Sequence, residues 1–78
     1  MIKYKFNIAE ALQRAGFTTY TAKKSGLLGA DIMQKLKNDD TNISIKTLNT
    51  LCNILDMQPK DLIYYEEEEQ DRTQKEKI

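Results

Sequence analysis

The chain is predicted to be mainly α: a compact bundle of four to five short helices, with a small two-stranded sheet joining its termini. Three observations carry this expectation. Apolar residues recur at helical spacing from Ile8 to Leu55. A side chain able to cap a helix, Asn7, Thr18 or Ser44, stands directly ahead of three of those segments. At the two ends the spacing changes: Ile2, Tyr4 and Phe6 alternate with Lys3 and Lys5, and Ile63, Tyr64 and Tyr65 favour extended backbone.

Ile2 to Phe6 therefore reads as a strand with one buried face. Asn7 precedes Glu10 at capping-box spacing and starts a first helix at Ile8. Ile8, Ala11, Leu12 and Ala15 form its inner face, and Gly16 accepts the left-handed backbone that ends it. Thr18 caps a second helix over Thr19 to Lys24. Threonine's branched side chain resists the helix, so packing must hold this one together. Ser25 and Gly26 stop it, and Leu27 and Leu28 are expected to turn inward between neighbouring helices. A third helix is expected from Gly29 or Ala30 to Asn38. At ~100° per residue, Ile32, Met33 and Leu36 share one face, while Ala30, Asp31, Gln34 and Asn38 lie opposite, flanked by Lys35 and Lys37.

Asn38 to Asn42 is a loop of turn formers. Ser44 caps a fourth helix with the stripe Ile45, Leu48, Leu51, Cys52 and Leu55, in which Cys52 serves as a small core residue. Pro59 opens a single turn ending at Leu62, and Ile63 to Tyr65 is expected to pair with Ile2 to Phe6. Residues 66–78 hold one apolar side chain, at the last position, and are expected to be a disordered acidic tail. The folded domain is thus expected over residues 1–65.

With 78 residues, 40% of them hydrophobic, the chain supports one small core and no second domain. Cys52 is the only cysteine and histidine is absent, so neither a disulfide nor a zinc site forms within one chain. The same absences remove the usual pairings of base and nucleophile. Gly26 and Gly29 are separated by leucines rather than set in a phosphate cradle, so no catalysis, cofactor or small-molecule ligand is expected. A lone thiol suits a reducing compartment, and no apolar run approaches the ~20 residues of a membrane span. A soluble, cytoplasmic protein is the expectation. The net charge of zero hides an asymmetry: nine basic residues stand against six acidic ones through Tyr65, then three against six. The part expected to fold is mildly basic, as a polyanion partner requires.

Gly16 to Leu36 joins a short helix, a turn rich in glycine and leucine, and a helix with a polar outer face. Small proteins use this layout to carry a helix into the DNA major groove. Together with Thr18-Thr19-Tyr20, Met33-Gln34-Lys35-Leu36, and the run Leu51-Cys52-Asn53-Ile54-Leu55-Asp56-Met57-Gln58-Pro59-Lys60-Asp61-Leu62-Ile63, it resembles the Cro/C1-type helix-turn-helix family of bacterial and phage DNA-binding regulators. The resemblance is to the short single-domain members of Gram-positive bacteria and their mobile elements, and it covers residues 1–65. It implies a lambda-repressor-like bundle that binds double-stranded DNA sequence-specifically as a small transcriptional regulator, a repressor, with the third helix in the major groove. The start of that helix often carries serine, glutamine, threonine or arginine in the family; here it is Gly29, Ala30 and Asp31, so direct base reading is sparse.

Side-chain chemistry assigns the roles. Gln34 donates and accepts at once, the pattern suited to adenine; Asp31 can accept from the cytosine amino group, and Ala30 can touch a thymine methyl. Lys23, Lys24, Lys35, Lys37 and Lys46 suit phosphates, as do Thr18, Thr19, Asn38 and Ser44 around the helix ends. Each role has a plainer counterpart. Asp31 also favours the dipole of its helix, Gln34, Lys35 and Lys37 also make an ordinary solvated face, and Tyr20 either stacks on the sugar-phosphate backbone or packs against the third helix. Two copies on a palindrome double the recognised surface, so a homodimer on DNA is expected. The competing reading is a protein-interaction adaptor or inhibitor on the same scaffold, its acidic tail engaging a basic partner.

Overall fold

A computed structural model describes residues 1–78 as six helices and one antiparallel strand pair. The elements are β1 (Ile2–Tyr4), α1 (Ile8–Arg14), α2 (Thr19–Ser25), α3 (Ala30–Lys37), α4 (Ile45–Leu55), α5 (Pro59–Leu62), β2 (Ile63–Tyr65) and α6 (Glu69–Glu76). The first five helices form the bundle. Ile2 lies opposite Tyr65 and Tyr4 opposite Ile63, so the sheet closes the bundle by tying its ends. Phe6, expected in the strand, lies beyond it: the Lys5 N–H to Leu62 carbonyl bond at 2.9 Å continues the register of the ladder, and the chain bends at Lys5 and Phe6 before α1.

The caps form where the sequence places them. Asn7, Thr18 and Ser44 each accept a backbone N–H three residues on, from Glu10, Thr21 and Thr47. α1 ends at Gly16, whose φ of +87° lets the Phe17 N–H reach back to the Leu12 carbonyl at 2.8 Å. The same closure recurs without glycine after α3 and α4. Asp39 and Asp56 take φ of +56° and +55°, and the next N–H bonds Lys35 and Cys52 carbonyls respectively.

Nine apolar residues make the core, and no polar side chain is buried with them. α1 supplies Ile8 and Leu12, α2 Ala22, the α2–α3 turn Leu28, α3 Met33 and Leu36, α4 Leu51 and α5 Leu62; Phe17 completes it. Each fully buried leucine or isoleucine contributes about 1.5–3 kcal/mol. That inventory explains how α2, poor in intrinsic propensity, is held: its one buried residue, Ala22, belongs to the shared core, and the helix packs on α3.

Three expectations are corrected. Leu27 does not turn inward; it is 54% exposed, because Leu28 alone fills the gap at the turn. Ile45 is not part of the α4 stripe: as the first residue of the helix it projects past the packed side, 80% exposed. Residues 66–78, expected to be a disordered tail, are helical over Glu69–Glu76, an α6 that buries no residue. Its start is fixed by polar contacts: Asp71 accepts from the Glu68 N–H at 2.9 Å and from the Met1 amino group at 2.6 Å, and Lys3 pairs with Glu66 and Glu68.

Candidate nucleic-acid interface

The geometry of the interface follows from how α2 and α3 are joined. Gly26 ends α2 with φ of +70°, and nothing lies within 4 Å of where its Cβ would be, so backbone conformation and not space calls for glycine. Ser25 Oγ then receives the Leu27 N–H at 3.3 Å, and Leu28 pins the turn into the core. Gly29 precedes α3 in an extended conformation with no side chain over the helix start. Two short helices result whose inner residues share one core. The outward side of α3 is left bare: Ala30, Asp31, Gln34, Lys37 and Asn38 are all exposed.

Beside that face a cleft of about 610 Å³ opens between α1, the start of α2 and α3. Thr18, Thr19 and Tyr20 form one part of its wall, Glu10 and Gln13 of α1 another, and Met33 and Lys37 of α3 a third. Of the phosphate-contact candidates, the fold therefore brings Thr18, Thr19 and Lys37 into one concavity. Lys23 and Lys24 stand in the last turn of α2, away from its cap. Lys24 holds its ammonium 5.7 Å from the centre of the Tyr20 ring, within reach of a cation–π attraction. Tyr20 itself is 72% exposed and shares the cleft wall with Met33 and Lys37 of α3.

The remaining candidates differ in freedom. Lys35 is half-buried, and its Nζ donates to the Asn42 carbonyl at 3.2 Å, so it ties α3 to the following loop. Asn38 is exposed at the C-terminal cap of α3. Ser44 caps α4 and Lys46 is exposed in its first turn. Glu10 and Gln13 escaped the sequence reading. In the sequence Glu10 signals only its capping-box spacing to Asn7 and Gln13 carries no motif, and only the approach of α2 gives them a cleft to face.

Displaced titrations gather elsewhere, near the chain ends. The Met1 amino group holds the Asp71 carboxyl below its usual range, and Glu68 raises Lys3. Burial raises the Tyr65 and Tyr4 phenols, and Glu67 raises Lys75. Tyr4 also donates to the Asp40 carbonyl at 2.9 Å, anchoring the loop after α3 to the sheet.

Two helices joined by a tight left-handed turn, the second with a bare polar face, define a helix-turn-helix domain. The family model of the Cro/C1-type HTH DNA-binding domain matches residues 1–68, and the chain belongs to that family. Neither a curated protein nor a solved structure matches it at significance. Membership makes this a DNA-binding domain of transcription regulators. No helix is long and apolar enough to cross a membrane.

Proposed function

We propose that the chain is a cytoplasmic transcriptional repressor that binds double-stranded DNA sequence-specifically as a homodimer, with α3 in the major groove. The observation that carries this is the bare outward side of α3, with a cleft on one flank and cations around it. A major groove about 12 Å wide admits one such helix. Gln34, at mid-helix, pairs with adenine, Ala30 meets a thymine methyl, and Asp31 accepts from cytosine. Thr18, Thr19 and Lys37 straddle one phosphate strand at the cleft, while Lys23, Lys24, Asn38, Ser44 and Lys46 hold the backbone further out. Lys35 joins them by exchanging the Asn42 carbonyl for a phosphate oxygen. Repression follows from occupancy, since a domain seated in the groove excludes other proteins from that stretch of duplex. The reaction chemistry of an enzyme has no place in this reading.

Fluorescence anisotropy on duplexes enriched by the chain from a random pool tests it. Affinity is expected to fall steeply with salt, at about 0.9 log units per tenfold salt for each neutralised phosphate. Lys37→Ala is expected to weaken binding to all duplexes alike and reduce that slope by about 1. Gln34→Ala is expected to relax preference at one base pair at a cost of about 1–3 kcal/mol. Absence of duplex binding at low salt, together with no retention on a DNA resin, would overturn the proposal in favour of the adaptor reading.

A further inference from the structure

Asn7 carries more than the cap of α1 requires. Serine, threonine or aspartate would accept the Glu10 N–H as well, because that task needs one side-chain oxygen. Here both ends of the carboxamide are used. Oδ1 accepts from Glu10 at 2.9 Å, while Nδ2 donates to the Lys37 carbonyl at 3.3 Å and to Asp39 Oδ1 at 3.1 Å. The reverse orientation would set the amide oxygen against two acceptors and its nitrogen against an N–H, so the network admits one arrangement. One half-buried side chain thus joins the start of α1 to the end of α3.

We infer that Asn7 is a positioning residue for α3: it sets the swing of the helix's C-terminal end, and through it the placement of Gln34 against a base. The rest of the packing leaves that end to Asn7. Leu28 pins the turn ahead of α3, and Met33 and Leu36 hold the depth of the helix, but apolar burial is non-directional and does not fix a swing. The last-turn carbonyls of Gln34, Lys35 and Leu36 are bonded by backbone N–H groups of Asn38, Asp39 and Asp40. The Lys37 carbonyl is bonded instead by Asn7, from outside the helix. Asp39, at φ of +56°, brings its carboxylate to the same amide. Tyr4 and Lys35 bond further along, at the Asp40 and Asn42 carbonyls, and so hold the loop.

The length of the lever decides which contacts respond. α3 has eight residues, which at about 1.5 Å each make it about 12 Å long. A swing of about 5° about its start moves the C-terminal end by about 1 Å and Gln34, at mid-helix, by about 0.5 Å. A side chain reading a base through two hydrogen bonds loses its fit over about 0.5 Å, whereas a lysine on its flexible stem follows the phosphate. Loss of the Asn7 bonds therefore costs sequence discrimination and spares the salt-dependent part of binding. This consequence rests on the DNA-binding function proposed above; the tie between α1 and α3 does not.

Two variants of the full chain separate the tie from the cap. Asn7→Ser keeps an oxygen for the Glu10 N–H but is too short to donate to α3, and Asn7→Asp keeps the cap while turning both donations into contacts between oxygens. Tyr4→Phe, which cuts the Asp40 bond and leaves Asn7 untouched, is the control. Without DNA, residual dipolar couplings measure the angle between α1 and α3. Both Asn7 variants are expected to change it by about 5°, and Tyr4→Phe to leave it as it is. On duplexes enriched by the wild-type chain, both are expected to lose about tenfold in affinity, the worth of one well-made base contact. Affinity for an unrelated duplex at low salt is expected to change less than about twofold, since phosphates supply it. An unchanged angle in both Asn7 variants, the same change in Tyr4→Phe, or an undiminished preference for the enriched duplexes would overturn the inference. Failure of the wild-type chain to bind any duplex, with the angle changing as expected, would reject the DNA reading and leave the positioning of α3 by Asn7 standing.

Discussion

Leu12, Leu36, Leu51 and Leu62 have no exposed surface, and each comes from a different helix. Truncating one removes contacts that no neighbour can replace in so small a core. Leu51→Ala is expected to lose about 2–5 kcal/mol, measured by urea unfolding, a large share of a total on the order of 5–15 kcal/mol. Ile45→Ala, 80% exposed at the start of the same helix, is expected to leave the urea midpoint nearly unchanged. The two left-handed aspartates separate backbone strain from side-chain bonding. Asp56→Gly relieves a conformation that L-residues resist and is expected to add about 0.5–1 kcal/mol. Asp39→Gly is expected to add less, because Asp39 Oδ1 also accepts from Asn7 Nδ2 at 3.1 Å.

At the scale of elements, α6 behaves unlike the others. It buries nothing, so its docking depends on ionic contacts: the Met1 amino group with Asp71 in its first turn, and Lys3 of β1 with Glu66 and Glu68 just ahead of it. The fold lowers the Asp71 carboxyl from its ordinary value of 3.8, so its contribution is complete above that value and disappears as pH falls through the lowered one. Lys3, raised from 10.5, contributes below that value and ceases to as pH rises through its raised one. Helical signal from α6 is therefore expected to persist between those limits and to vanish first on acidification, followed by amide NMR of residues 69–76. This element also marks where sequence reading stops. The caps at Asn7, Thr18 and Ser44, the turn at Gly26 and the strand pairing were legible, because each depends on residues close in sequence or on a hydrophobic pattern. α6 was not, because its partners Met1 and Lys3 are 65 or more residues away and its composition is that of a solvated chain. Of the candidate interface, the bare side of α3 was visible in its helical spacing. The walls that α1 adds, and the engagement of Lys35 by Asn42, depend on packing that no local pattern encodes.

The whole molecule measures 46 × 22 × 19 Å with a radius of gyration of 14.1 Å. A compact chain of this length is expected near about 11.5 Å. The difference reflects an elongated outline, to which an α6 that packs on no core contributes. Removing residues 67–78 is expected to lower the radius measured by X-ray scattering while leaving the thermal midpoint of the bundle nearly unchanged. The same truncation removes five acidic and three basic residues. Duplex affinity is then expected to rise, most at low salt, where the field of the remaining basic body is least screened.

Ala30, Asp31, Gln34, Lys37 and Asn38 are exposed and none belongs to the nine-residue core, so their identities bear little on whether the bundle folds. Randomised libraries at these five positions should consequently yield mostly soluble, correctly built variants. A scaffold with its reading surface uncoupled from its foundations is one whose target preference selection can rewrite without renegotiating the architecture beneath.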